Sequence, residues 1–266
     1  MDKQLQRAPA RPARTCVVIA AGFCAFVLLA GCEESPLPSR PSAAANRPSP
    51  APVAAAIDLP KVDQRLCTAV ALLIDTSGSM SQDVRDRGGG QQAKYLIARQ
   101  ALERIVDYTT NWRQTHTDRV LQLAILHFSS AVHEVLPMGV FDGETAKSAV
   151  QKIPGPGGGT AIGEALKAGF RSLYGSGCVR KYLVCVTDGE NTAGPPPDLI
   201  ARQLHKQTGG EVEIHFVAFD TSAARFAFLK DANGSVVEAA DGDQLQAQLS
   251  AIYEKRILAE AAAEQP

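Results

Sequence analysis

The sequence lacks a charge imbalance: 27 Lys and Arg stand against 28 Asp and Glu, for a net charge of −1, and no long basic run occurs. The electrostatic footprint of a nucleic-acid-binding surface is therefore missing. It also lacks the Cys/His spacing of a zinc site, since His116, His127, His133, His205 and His215 fall singly. No Gly-x-Ser-x-Gly turn is present, and no histidine follows in an order that would complete a hydrolase triad. There is no internal repeat, so one domain is the economical count. The apolar stretch at 16–30 is about 15 residues long, short of the ~20 that a membrane span needs.

What remains is a globular composition, 45% hydrophobic and 21% charged, enough to bury a sizeable core. The N-terminus stands apart from it. Lys3, Arg7, Arg11 and Arg14 precede the short apolar stretch in the manner of a secretory signal. Leu29-Ala30-Gly31-Cys32 then resembles a bacterial lipobox. The resemblance implies cleavage before Cys32 and lipidation of its thiol, with several acyl chains giving stable anchoring where one would not. Glu33, in the position after the lipidated cysteine, favours the outer membrane of a Gram-negative-type envelope. Residues 33–60 carry seven prolines among Ser, Ala and Asn, and read as a disordered, partly polyproline tether. The expected organisation is a signal at 1–31, a tether at 32–60, a folded domain at 61–258 and a frayed tail at 259–266.

Six cysteines sort by this organisation. Cys16 and Cys24 leave with the signal, Cys32 is lipidated, and Cys67, Cys178 and Cys185 remain in an exported, oxidising compartment. Cys67 precedes Asp75 by about as many residues as Cys178 precedes Asp188, so neighbouring strands would place both at one edge of the sheet. A Cys67–Cys178 disulfide with Cys185 buried and free is expected. Three reduced core thiols are the alternative, because sequence does not show the Cα separation a bridge requires.

From Leu66 onward strands and helices alternate. The pattern predicts a single Rossmann-like three-layer α/β/α domain with a mostly parallel central sheet and one antiparallel edge strand. Strands are expected at 68–74, 120–128, 179–187, 211–219 and 235–239, with 131–137 as the antiparallel partner. Helices are expected at 91–108, 144–152, 161–174, 195–207, 223–231 and 241–258, and a polar, Gly-rich loop at 82–90.

Two of these strands end in carboxylates. The apolar run at 70–74 stops at Asp75, followed by Ser77 and Ser79, and the strand ending at Thr187 is followed by Asp188. In open α/β sheets, ligands sit beyond the carboxyl ends of strands at the point where strand order reverses. Between the two lies Ile153-Pro-Gly-Pro-Gly-Gly-Gly-Thr160, a breaker-rich loop that lets backbone pass close to something. The hydroxyls could instead cap turns and helix starts, Thr160 at the helix after it among them.

Asp75-Thr76-Ser77-Gly78-Ser79, Gly158-Gly159-Thr160 and Thr187-Asp188-Gly189 together resemble the metal-ion-dependent adhesion site of the von Willebrand factor type A domain family. The resemblance covers roughly residues 67–258. It implies that Ser77 and Ser79 bind one Mg²⁺ (or Mn²⁺ or Ca²⁺) directly, that Thr160 adds an oxygen, and that Asp75 and Asp188 bind directly or through water. Such a set suits a hard cation that keeps waters. An open position would let an Asp or Glu of a protein partner complete the shell. No organic cofactor is implied. The oxygens of Asp75 and Thr160 are expected at the surface, with Glu190, Asn191 and 82–90 on a rim that could read the partner.

The resulting expectation is a non-enzymatic, lipid-anchored module of the bacterial cell envelope that binds a protein partner through a cation. The alternatives are a metal-independent scaffold or assembly subunit of an envelope or secretion complex, and an Mg²⁺-dependent hydrolase. The last is disfavoured because Ser77 stands where a second carboxylate would follow an aspartyl nucleophile at Asp75.

Overall fold

The computed structural model describes residues 55–263. The signal, Cys32, the tether up to residue 54 and residues 264–266 lie outside the described residues. The first element, β1 (Arg65–Asp75), is buried at every residue from Cys67 onward. That is the signature of a strand covered on both faces. Its side chains alternate between two cores. Val70, Leu72 and Ile74 enter one cluster, while Ala69, Ala71 and Leu73 enter the other.

A short ribbon follows, β2 (Asp83–Arg85) paired antiparallel with β3 (Gln91–Ala93), leading into α1 (Lys94–Thr115). The next elements are β4 (Leu121–Phe128), β5 (Val132–Val140), α2 (Gly143–Gln151) and α3 (Ile162–Gly175). Then come β6 (Cys178–Thr187), α4 (Pro197–Thr208), β7 (Val212–Phe219), a 3-10 segment (Ala223–Ala232) and β8 (Gly234–Ala239). The described chain closes with α5 (Gly242–Ile252), a π-helical turn (Tyr253–Leu258) and α6 (Ala259–Ala263). No helix among the described residues is long and apolar enough to cross a membrane.

The six-stranded sheet has the order β5-β4-β1-β6-β7-β8, parallel throughout except for β5 on β4. Residues of α1, α2 and α5 share one core, and those of α3 and α4 share the other. The chain thus moves outward from β1 along one face and from β6 along the opposite face. The reversal falls between β1 and β6. Register aligns Ile74 with Val186, so Asp75 and Thr187 leave the sheet side by side.

Several elements depart from the sequence pattern. The loop expected at 82–90 contains β2, because Val84 is buried and pins the ribbon. The helix expected to stop at 108 continues to Thr115, since buried Thr109 and Trp112 extend its apolar stripe. The helix expected at 223–231 is 3-10, with Phe226 out of helical geometry. Residues 259–263, expected to fray, are helical. Ala261 is buried, and Glu260 accepts from the Tyr182 hydroxyl and pairs with Arg180.

The ordered fold also begins before residue 61. Ile57 is buried, and the Gln207 side-chain amide accepts from its N–H at 3.1 Å and donates to its carbonyl. At the same lower edge the sulfurs of Cys67 and Cys178 are bonded, with Cα atoms 4.8 Å apart, and Cys185 is buried and free.

Candidate metal centre

Asp75 ends β1 wholly buried, and Thr160 is buried too, so neither is the surface oxygen that sequence suggested. A carboxylate withdrawn from water needs its lone pairs occupied. Its Oδ1 accepts the Ser77 N–H at 2.7 Å and its Oδ2 accepts the Thr187 hydroxyl at 2.6 Å. Burial, partly offset by these hydrogen bonds, pushes the Asp75 pKa up to about 6, with the nearby Asp188 charge adding to the rise.

The bond to Oδ1 turns the chain, placing Ser77 and then the 3-10 turn Gly78–Ser81 over the strand end. Ser77 Oγ lies 3.1 Å from Ser79 Oγ, and Ser79 Oγ donates to Asp188 Oδ1 at 2.7 Å. With its proton directed at Asp188, Ser79 turns its lone pairs elsewhere. Ser77, Ser79 and Asp188 therefore form one line of oxygen atoms bridging β1 and β6.

The Gly-rich loop carries Thr160 to the same place. Gly157 N–H donates to Thr76 O at 2.8 Å, Gly78 N–H to Gly158 O at 3.1 Å, and Gly159 N–H to Ser130 Oγ at 2.8 Å. Gly158 has φ +78°, and a Cβ there would stand 2.8 Å from Ser130 Oγ, so only glycine lets the loop pass. Thr160 does not cap α3, whose N-cap is Ala161 without a side-chain bond. Its N–H instead donates to Thr192 Oγ1 at 2.8 Å, and Thr160 O accepts from Thr192 N–H at 2.9 Å.

The residues present fit a hard cation. A Cβ on Gly189 would lie 3.7 Å from Ser79 Oγ and 3.8 Å from Thr160 Oγ1. The absent side chain thus leaves a cradle faced by both hydroxyls. No group of three or more His, Cys, Asp or Glu close enough to hold a metal occurs among the described residues. The donors are instead two carboxylates and three hydroxyls, a hard-oxygen set suited to a hydrated divalent ion.

One participant is absent from the sequence reading. Lys94 opens α1 with its side chain only 3% exposed, and its ammonium donates to Asp188 Oδ2 at 3.1 Å and to Gln82 Oε1 at 3.1 Å, and pairs with Asp220 Oδ2 at 2.8 Å. Burial alone would lower its pKa, yet the bonds and charges of Asp220 and Asp188 hold it above the usual lysine range. Helical spacing offered a signal, because Lys94 stands three and four residues before buried Ile97 and Ala98, on the inward face. Asp220 follows β7 at φ +52°, a conformation that Asp tolerates better than most side chains.

The expected rim divides in two. Glu190 is exposed and pairs with Arg225, whereas Asn191 braces the loop, donating to Pro195 O at 3.3 Å and accepting from Gly163 N–H at 3.4 Å. His127 is buried below the site with Nδ1 3.1 Å from Thr76 Oγ1; burial and neighbouring His133 lower its pKa.

A doubly wound sheet with paired strand-end carboxylates, hydroxyls and a glycine loop at its reversal point defines a class of α/β interaction domains. The von Willebrand factor type A domain model matches residues 69–251, and the chain belongs to that family. Domains of this family are typically non-enzymatic interaction modules. No curated protein matches the sequence.

Among solved structures, the PilB minor pilin from Streptococcus sanguinis is similar with a TM-score of 0.61 at 16% identity, over 78% of this chain and 65% of that one. The chain thus spans just under two thirds of the pilin's length. BatB from Bacteroides thetaiotaomicron, described as a conserved hypothetical protein, gives 0.56 at 19% identity over 73% and 99%. Proximal thread matrix protein 1 from the mussel byssus, in a structure with a zinc-occupied MIDAS motif, gives 0.54 at 20% over 75% and 47%. Identities this low speak for the fold alone.

Proposed function

We propose that this chain is a lipid-anchored binding module of the bacterial cell envelope. In this reading Asp75, Ser77, Ser79, Thr160 and Asp188 hold one divalent cation, Mg²⁺ being the best fit to the donor set. The observation that carries the reading is the continuous line Ser77–Ser79–Asp188, with Thr160 and Ser79 facing one cradle at Gly189.

When bound, the ion supplies a Lewis-acidic position that the carboxylate of a partner's Asp or Glu can occupy. The chain's own carboxylates are already engaged, Asp75 by Ser77 and Thr187, Asp188 by Ser79 and Lys94. Their charge is therefore shared with protein donors, and the ion keeps its appetite for an external anion. What supports the anchor is the lipobox-like Leu29-Ala30-Gly31-Cys32, and what supports the outer membrane is Glu33 after it.

The test is calorimetric titration of Mg²⁺ and Mn²⁺ into the full chain, with Asp75→Asn as the control that preserves shape. One ion per chain in wild type and none in the variant supports the reading; equal binding by both contradicts it. A metal-independent scaffold is the second reading. What favours it is Lys94, whose ammonium already gives Asp188 a cation.

A further inference from the structure

We infer that Lys94 is a built-in counter-cation of the metal centre that sets how tightly the chain holds its ion, keeping ion binding weak until a partner's carboxylate joins. The inference rests on the metal reading above and deepens it.

Asp188 is gripped from both sides: Ser79 bonds Oδ1 at 2.7 Å and Lys94 bonds Oδ2 at 3.1 Å. The ammonium therefore stands one carboxylate away from the candidate ligand hydroxyl. It cannot swing clear, because its side chain is 3% exposed and two further anchors, Asp220 and Gln82, hold it. Removing either partner of a buried ion pair leaves an uncompensated charge, so the ammonium and Asp188 fix each other.

The Ser79 bond to Oδ1 orients Asp188 independently of the lysine. The ammonium is a charge already spent on Asp188 when a divalent ion arrives, and like charges at this range repel appreciably in a partly buried setting. An ion so placed is held less tightly by the chain and has more to gain from an incoming anion. A purely structural lysine would act the other way, because its loss would disorder Asp188 and weaken ion binding.

The experiment titrates Mn²⁺ alone into the full chain as wild type, Lys94→Gln and Lys94→Arg, with folding checked by circular dichroism. Lys94→Gln should bind Mn²⁺ about tenfold more tightly than wild type, and Lys94→Arg, which keeps the charge, within about twofold. In chelator, Lys94→Gln should melt below wild type, and saturating Mn²⁺ should raise its melting temperature by more than it raises that of wild type. Weaker or unchanged Mn²⁺ binding by folded Lys94→Gln overturns the inference while leaving the metal reading in place. No Mn²⁺ binding by either protein overturns the metal reading itself, and this inference with it.

Should Lys94→Gln fail to fold, Asp220→Asn serves instead, since Asp220 is partly exposed and outside the oxygen set. That change concentrates the ammonium on Asp188 and should weaken Mn²⁺ binding severalfold; unchanged binding overturns the inference.

Discussion

The Ser79 hydroxyl donates to Asp188 Oδ1 at 2.7 Å, joining residues 109 apart in the chain across the ends of two neighbouring strands. This contact turns a local Ser-rich loop into a site. It exists because β1 and β6 are adjacent in the sheet and end at the same level. Everything proposed about cation binding depends on that junction.

Cation binding should depend on pH through Asp75. With its pKa near 6 in the cation-free chain, a proton competes with the ion below that value, and apparent Mn²⁺ affinity should fall by about tenfold per pH unit below about 6. Above 6 it should be flat. The same raised pKa has a stability consequence of opposite sense. A carboxyl whose folded pKa is raised stabilises the fold most below its ordinary value of 3.8. That contribution is lost as pH rises from 3.8 to about 6. In chelator, Asp75→Asn should therefore lose less stability than wild type over this window. Calorimetry and thermal melts at stepped pH check both; affinity independent of pH from 5 to 7 would count against Asp75 as a ligand.

Gly189 should be the most sensitive small residue of the site. Its conformation is ordinary, so a side chain there costs the fold little, yet a Cβ would stand in contact with both Ser79 Oγ and Thr160 Oγ1 and a branched side chain would crowd them. Gly189→Val should abolish Mn²⁺ binding with a melting temperature close to wild type in chelator. Thr160→Val, which keeps shape and removes only the oxygen, should weaken binding by about tenfold. Full binding by Gly189→Val would place the ion elsewhere.

The Cys67–Cys178 bridge closes a loop of 111 residues between β1 and β6 at the edge opposite the site. Loops of this length owe roughly 2–5 kcal/mol to their bridge. The double variant Cys67→Ser, Cys178→Ser should melt well below wild type in oxidising buffer, and added reductant should not lower it further. Its Mn²⁺ affinity should be unchanged, because the bridge lies at the far ends of both strands. A change in affinity without loss of stability would contradict this separation.

How much of this was legible in the sequence follows from distance along the chain. Asp75, Ser77 and Ser79 sit two residues apart at the end of one apolar run, and Asp188 ends another, so strand pattern brings out these four, while Thr160 and the ligand roles come from the family resemblance. Counting back along the same strands also placed Cys67 beside Cys178. For Lys94 helical spacing showed only an inward face; its partners were not legible, because Gln82, Asp188 and Asp220 come from three other loops. Nor was the burial of Asp75, which depends on the Thr187 hydroxyl from the neighbouring strand. The ordered start of the domain was hidden too. A Pro- and Ala-rich composition reads as tether, while a single Ile57 held by the Gln207 amide is enough to fix the chain there.

The most direct test is a crystal of the chain grown with Mn²⁺ and measured for anomalous scattering. The account predicts one peak at the ends of β1 and β6, within coordination distance of Ser77 Oγ and Ser79 Oγ, with the Lys94 ammonium still on the far oxygen of Asp188. Strand ends without a peak at saturating Mn²⁺, or a peak only at some other place on the chain, would contradict it.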